Sequence, residues 1–190
     1  MSDHPGVFRL RLANPNDIPA LCELIDTSVR VLQRDDYSEE QIEGALGTVF
    51  GVDTQLLADR TYYVAVSTGA DGREILAGCG GWSKRKTLFG SDHGPYRESE
   101  LLDPQKDAAK IRAFFVHPEW TRRGIATRIL RTCEQAARAA GFRKFEMGAT
   151  LTGVPMYAAR GYVEVERFTV PLKNGASLPV VRMAKVLSRP

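Results

Sequence analysis

With 190 residues the chain has room for one domain with a sizeable core, and its 43% hydrophobic and 26% charged residues exclude wholesale disorder. A net charge of +3 is too weak to argue for nucleic acid and mildly favours an anionic ligand. Cys22, Cys79 and Cys133 are far apart, odd in number and part of no Cys-x-x-Cys or Cys/His cluster, so no metal site is expected.

No apolar run approaches the ~20 residues of a membrane span, and residues 1–10 lack the basic and apolar regions of a signal peptide. The expectation is a soluble protein of the reduced cytoplasm with no membrane partner.

Phe8, Leu10 and Leu12 alternate with Arg9 and Arg11, the period of a half-buried strand. After Asn14-Pro15-Asn16, apolar residues at Ile18, Leu21, Cys22, Ile25, Val29 and Leu32 have helical spacing, with Asn16 as cap and Pro19 in the first turn. Ser38 opens a second helix, ending near Gly47, with Gln41 completing a capping box. Tyr62 to Val66 and Ile75 to Trp82 read as strands joined through Gly69-Ala70-Asp71-Gly72. Ser83 to Lys110 is polar, without periodicity, and long for a loop inside a compact domain, which points to a functional segment or disorder.

Ile111 to His117 is an apolar strand stopped by Pro118. From Gly124 a helix sets Ile125, Ile129, Cys133, Ala136, Ala137 and Ala140 on one face and Arg128, Arg131, Gln135 and Arg138 opposite, and Gly141 closes it. Phe142 to Met147 completes a βαβ unit of right-handed crossover. A short helix over Val154 to Arg160 precedes two strands, Val163 to Pro171 and Pro179 to Leu187, joined through Lys173-Asn174-Gly175. The pattern is one α/β domain with a mixed sheet over residues 1–190.

The chemistry concentrates between Phe114 and Thr127, a buried strand, a tight turn and a helix opening at a glycine. The first N–H groups of a helix lack internal partners and its dipole adds about half a positive charge there, so a phosphate is received directly. Gly124 lets the backbone approach such an anion, Ala126 stays small, and Arg122 and Arg123 add charge. Only one glycine is present, so this is not the dinucleotide fingerprint, and no Gly-Lys-Ser/Thr follows as in a Walker loop. An ordinary βα turn with a solvated basic rim would need the same residues.

Phe114-x-Val116-x-Pro118 followed by Arg122-Arg123-Gly124-Ile125-Ala126 resembles the cofactor motif of the GCN5-related N-acetyltransferases (GNAT), Gln/Arg-x-x-Gly-x-Gly/Ala. Met156-Tyr157-Ala158-Ala159-Arg160-Gly161-Tyr162 is similar to that family's Phe-Tyr-x-x-x-Gly-Phe segment. The resemblance covers Ile111 to Phe168. It implies a mostly antiparallel mixed sheet of about seven strands flanked by about four helices, splayed at the central parallel pair.

It further implies an acetyltransferase moving acetyl from acetyl-CoA to a primary amine, small or peptide-borne, by direct attack in a ternary complex. Acetyl-CoA would sit on Arg122, Arg123, Gly124, Ile125, Ala126 and Thr127, its pantetheine on backbone groups of Phe115 and Val116, and Tyr157 would be the general acid; no metal is implied. The family's usual Gln or Arg is Thr121 here, whose hydroxyl can still donate to a phosphate. Its asparagine is Thr150, and the glutamate some members use as base is Lys110.

The base stays open among Asp36, Glu39, Glu98, Glu100, Asp103, Glu146 and His117. The family's acceptor wall maps to Val29 to Glu43, where Asp35-Asp36-Tyr37 and Glu39-Glu40 form an acidic cluster suited to a cationic amine or to a solvated helix start. Lys84-Arg85-Lys86 lies in the long loop that would cover the site. The departures at Thr121, Thr150 and Lys110 keep open a silent acyl-CoA-binding regulatory domain of the same fold. Nucleic acid is not an expected partner, and homodimerisation, common in the family, would suit the terminal strands.

Overall fold

The computed structural model describes residues 7–187. The opening residues weighed for a signal peptide, with His4 among them, lie outside it in part, at 1–6. Seven strands form one sheet in the order β1-β2-β3-β4-β5-β7-β6. They are β1 (Arg9–Leu12), β2 (Tyr62–Thr68), β3 (Glu74–Ser83), β4 (Ala109–Val116), β5 (Lys144–Ala149), β6 (Val163–Pro171) and β7 (Ser177–Val186). Every neighbouring pair is antiparallel except β4 with β5. The turn glycines act as expected, since Gly72 and Gly175 take φ of 78° and 90° in the β2–β3 and β6–β7 hairpins.

Five α-helices pack on this sheet among the described residues, α1 (Ile18–Leu32), α2 (Glu39–Ala45), α3 (Thr54–Ala58), α4 (Ile125–Ala139) and α5 (Val154–Ala158). The expectation was about four; α3 is one turn long, too short to show a period, and is started by Asp53 accepting from Gln55 N. Ser38 and Gln41 do make the reciprocal capping box of α2, and Gly141, with φ of 96°, follows the last turn of α4. Asn16 is not the cap of the first helix, because a short 3-10 turn over Pro15–Asp17, capped by Asn14, precedes α1, which begins after Asp17 without a side-chain cap.

Two clusters fill the two faces. Leu21, Leu24, Ile25 and Val29 of α1 pack with Val64, Phe115, Leu178 and Val180 on one, and Ile125, Ile129, Cys133 and Ala137 of α4 pack with Ile111, Phe145 and Met183 on the other. The buried stripe of α1 is therefore rotated from the expected one. Cys22 faces solvent, whereas Cys79 and Cys133 are buried, and burial pushes the Cys79 thiol up to about 12. No described helix is long and apolar enough to cross a membrane.

Candidate active site

The site begins with a fault between strands. β4 and β5 pair only at Ala109↔Phe145 and Lys110↔Glu146. Beyond that point β5 continues on β7 as far as Ala149↔Val181, and β4 continues on β3 as far as Val116↔Gly78. The facing edges part and leave backbone groups without ladder partners. A bulge in β4 contributes to the divergence, since two β4 residues, Ala113 and Phe114, span the step that Gly80 alone makes on β3. Ala113 absorbs the step at φ 56°, a costly conformation for a residue with a Cβ.

The parting opens a cleft of about 180 Å³ whose walls include Phe114, Phe115 and Val116 of β4, Gly148 and Ala149 of β5, Ala126 of α4 and Tyr157 of α5. Of the expected site residues, Phe115, Val116, Ala126 and Tyr157 thus share one cavity. Arg122, Arg123 and Gly124 are exposed in the turn before α4. Arg122 and Gly124 lie in the left-handed region at φ 62° and 77°, the kind of turn that gathers successive N–H groups around an anion. Gly124 is the cap of α4, and no side chain caps that helix. Its first-turn donors are left for a ligand, so the residues present fit a pyrophosphate.

Other members of the expected set act differently. The Ile125 side chain is buried in the α4 cluster, leaving only its backbone for a ligand. Arg123 lies over the Trp120 ring at 4.8 Å. Thr127 Oγ1 accepts from Arg160 Nη2 at 3.2 Å, bringing to the first turn of α4 a third arginine that the sequence reading had not singled out. The Thr121 hydroxyl, expected as a phosphate donor, instead donates to Pro118 O at 3.0 Å.

Tyr157 is 7% exposed, with its ring edge-on to Phe114 and Tyr162 at 6.1 and 6.0 Å. Burial raises its pKa above the usual phenol value, so it stays protonated at neutral pH. Tyr37 ties the segment after α1 to this region. Its hydroxyl accepts from Leu151 N and donates to Pro179 O, both at 2.8 Å, and burial lifts it to about 12.

The candidate bases disperse. His117 Nδ1 accepts from Glu119 N at 3.3 Å as the cap of a 3-10 turn. Glu146 is held between Lys110 and Arg182, with Arg182 Nη2 at 2.6 Å. Glu100 pairs with Lys86 at 2.5 Å, and Asp103 caps the turn at Gln105. The acidic cluster does not face the cleft as a group. Asp36 accepts from Thr152 Oγ1 at 2.6 Å, whereas Asp35 is exposed and Glu39 lies in a separate surface hollow.

Among the described residues no carboxylate, lysine or histidine lines the cleft. Two carboxylates reach its wall indirectly, Asp36 through Thr152 and Asp53 through Arg112, whose Nη1 is 2.7 Å from Asp53 Oδ2.

The long segment expected as a loop is a fixed wall. Arg85 clamps Asp59 at 2.7 Å, Arg97 reaches Asp53, and Arg112 Nη2 donates to Gly90 O at 2.6 Å. Of the basic trio, Arg85 is thus spent on Asp59 and Lys86 on Glu100. Ser28 and Gln33 of the α1 end and Phe89 of this wall also line the cleft. Sequence reading missed all three; the one signal was Ser28 interrupting the apolar stripe of α1.

The family model for an acetyltransferase (GNAT) domain matches residues 102–187. No curated protein gives a significant match. Among solved structures, a GCN5-related N-acetyltransferase from Rhodopseudomonas palustris is 26% identical with a TM-score of 0.67, the alignment covering 95% of this chain and 96% of that one.

PaiA N-acetyltransferase from Thermoplasma acidophilum, in complex with coenzyme A, is 16% identical with a TM-score of 0.61, covering 95% and 99%. YncA from Salmonella typhimurium, a putative acetyltransferase with acetyl-CoA, is 16% identical with a TM-score of 0.62, covering 97% and 96%. Residues 102–187 thus match the acetyltransferase (GNAT) domain model, within a chain that is similar along 95% of its length to a GCN5-related N-acetyltransferase.

Proposed function

We propose that the chain transfers an acetyl group from acetyl-CoA to a primary amine. The observation that carries this is the meeting, in one cleft, of the parted β4–β5 edges, Ala126 beside the uncapped start of α4, and Tyr157. Bound acetyl-CoA supplies the thioester: the amine nitrogen forms a C–N bond to its carbonyl carbon, the C–S bond breaks, and the thiolate leaves with the electron pair.

Arg122, Arg123 and the N–H groups of Gly124 to Thr127 hold the pyrophosphate. Backbone groups of Phe115 and Val116 pair with the pantetheine, and an N–H there polarises the carbonyl. Tyr157 gives its phenolic proton to the departing sulfur. The proton lost by the amine leaves by water toward the Thr152–Asp36 pair, the wall carboxylate not locked to an arginine.

The test is thermal unfolding with and without acetyl-CoA, beside an Arg122→Ala, Arg123→Ala variant. At ~100 times its dissociation constant the ligand should stabilise by about 2.7 kcal/mol. A shift lost in the variant supports the site, and no shift at millimolar acetyl-CoA sinks the proposal. A silent acyl-CoA-binding domain is the second reading, favoured by the lack of a carboxylate on the cleft surface. It predicts the same thermal shift with no thiol release for any amine.

A further inference from the structure

Tyr157 is placed by the rings around it. Among the described residues no group hydrogen-bonds its hydroxyl, and burial is the chief cause of its raised pKa. Phe114 and Tyr162 meet the ring edge-on at 6.1 and 6.0 Å, and a Cβ built on Gly153 would lie 3.0 Å from its Cε2. Of these three neighbours only Tyr162 carries a polar anchor of its own.

The turn after α5 creates the contact between the two tyrosines. The Gly161 N–H donates to Ala158 O at 3.1 Å and the Tyr162 N–H to Tyr157 O at 3.2 Å, with Gly161 at φ 86°. Such a nested pair of bonds closes a helix around a left-handed glycine and packs the residue after the glycine on the last turn. A phenylalanine at 162 would make that contact equally well.

The hydroxyl of Tyr162 adds a tie to α4. It donates to Glu134 Oε1 at 2.9 Å. Lys185 Nζ reaches the two Glu134 oxygens at 2.9 and 3.1 Å and stands 5.3 Å from the centre of the Tyr162 ring. Tyr162 is 2% and Glu134 7% exposed, so neither exchanges its partner for water without cost. Burial and the Glu134 carboxylate hold the Tyr162 phenol well above its ordinary range, which keeps it the donor. Glu134 belongs to α4, the helix whose uncapped start receives the pyrophosphate in the reading above.

We propose that Tyr162 and Glu134 are positioning residues for the acid: Glu134, seated on Lys185, holds Tyr162 by its hydroxyl, and the Tyr162 ring keeps the Tyr157 phenol aimed into the cleft. This rests on Tyr157 as the proton donor of the acetyl transfer. Neither Tyr162 nor Glu134 lines the cleft, so neither meets the reacting atoms, and the bond changes are those already given.

The test uses the full chain with Tyr162→Phe, which removes one oxygen and keeps the ring, and with Glu134→Gln and Glu134→Met, of which only the first leaves an oxygen to accept from Tyr162. Carbon-13 at tyrosine Cζ gives one resonance for each of the six tyrosines, and Tyr157→Phe assigns that of Tyr157. This resonance should shift or broaden in Tyr162→Phe and in Glu134→Met while that of Tyr37 stays in place, and Glu134→Gln should restore it.

Thiol release from acetyl-CoA is read with the fastest of n-butylamine, spermidine and a peptide with a free N-terminus. Tyr162→Phe should lower kcat about 10-fold or more, with KM for acetyl-CoA and the acetyl-CoA-induced rise in Tm unchanged. In the Tyr157→Phe background the same substitution should alter kcat less than about twofold, because a residue that acts through Tyr157 has no proton donor left to aim.

A Tyr157 resonance unmoved in Tyr162→Phe, or an equal fall in kcat with and without the Tyr157 hydroxyl, overturns the inference. If Tyr157→Phe itself has lost kcat in those cases, only the positioning role falls. Full kcat in Tyr157→Phe removes the acid assignment as well, and no thiol release with any of the three amines removes the acetyl-transfer proposal with it.

Discussion

Gly80 sits opposite the β4 bulge and, through Phe114, bears on Tyr157. It stands on β3 opposite Ala113 and Phe114, and a Cβ built there would lie 2.7 Å from Phe114 Cε2 and 2.8 Å from Ile129 Cγ2. Those separations are well inside van der Waals contact, so Gly80→Ala must displace the Phe114 ring or α4. Overpacking of this kind costs about 1–3 kcal/mol. Gly80 is not among the positive-φ glycines, so the substitution also regains about 0.4–1 kcal/mol by restricting the unfolded chain.

The net expectation is a loss of about 1–2 kcal/mol, read as a fall in Tm of about 2–8 °C for a chain of this size. Phe114 lines the cleft and can yield toward it, where it meets Tyr157 edge-on at 6.1 Å. Thiol release should therefore fall by more than the stability loss explains. Phe114→Leu in the Gly80→Ala background removes the clashing ring atoms and should recover at least ~0.5 kcal/mol beyond additivity. An unchanged or higher Tm in Gly80→Ala, or strict additivity in the double variant, would refute the reasoning.

Three further outcomes follow from the geometry. Tyr157→Phe keeps the packing but removes the acid, so kcat should fall about 10²-fold or more while acetyl-CoA still raises Tm; retention of kcat would place the proton donor elsewhere. Gly124→Ala puts a Cβ on a residue at φ 77° and should cost about 1 kcal/mol with weaker acetyl-CoA binding, checked by titration of the thermal shift.

Arg11 donates to both oxygens of Asp17 at 2.7 and 2.8 Å, and that pairing holds the Asp17 carboxyl below its ordinary range. A depressed folded pKa gives stability that is present above the unfolded value, about 3.9, and lost as pH falls through the folded one. Asp17→Asn should therefore be less stable at pH 7 and show a shallower loss as pH falls below about 4 in thermal scans; an acid limb parallel to that of the unsubstituted chain would refute this.

How much was legible in the sequence follows from how far apart the partners lie. The cofactor side is a contiguous strand, turn and helix, so Phe115, Val116, Gly124 and Ala126 could be placed from neighbours within a few residues. Hairpins set by Gly72 and Gly175 and the Ser38–Gln41 box are equally local, and each matches the structure. The α1 stripe was misjudged by a fraction of a turn because Leu24 and Cys22 have similar apolar weight. What decides between them is the sheet they face, and only Leu24 is buried.

The rest of the cleft wall is built the opposite way, from residues far apart in the chain. Gln33, Phe50, Phe89, Arg112 and Gly148 come from five separate segments, and none of them signals a site alone. In sequence Asp35, Asp36, Glu39 and Glu40 suit either an acidic receptor or a solvated helix start, and their adjacency alone does not decide between the two. In the fold Asp36 turns to Thr152, Glu39 and Glu40 start a helix where acids complement its dipole, and Tyr37 turns inward to tie Leu151 and Pro179.

Ion pairing accounts for the remainder, since Asp53 and Glu146 are buried against Arg112, Arg97, Lys110 and Arg182. Buried charges of this kind are retained in pairs because removing one partner strands the other at several kcal/mol. They fix the wall beside the cleft and leave its surface neutral. Charge that is adjacent in the sequence is therefore no guide to the charge on the cleft surface, where Arg112 is the one charged residue of the lining and is paired with Asp53.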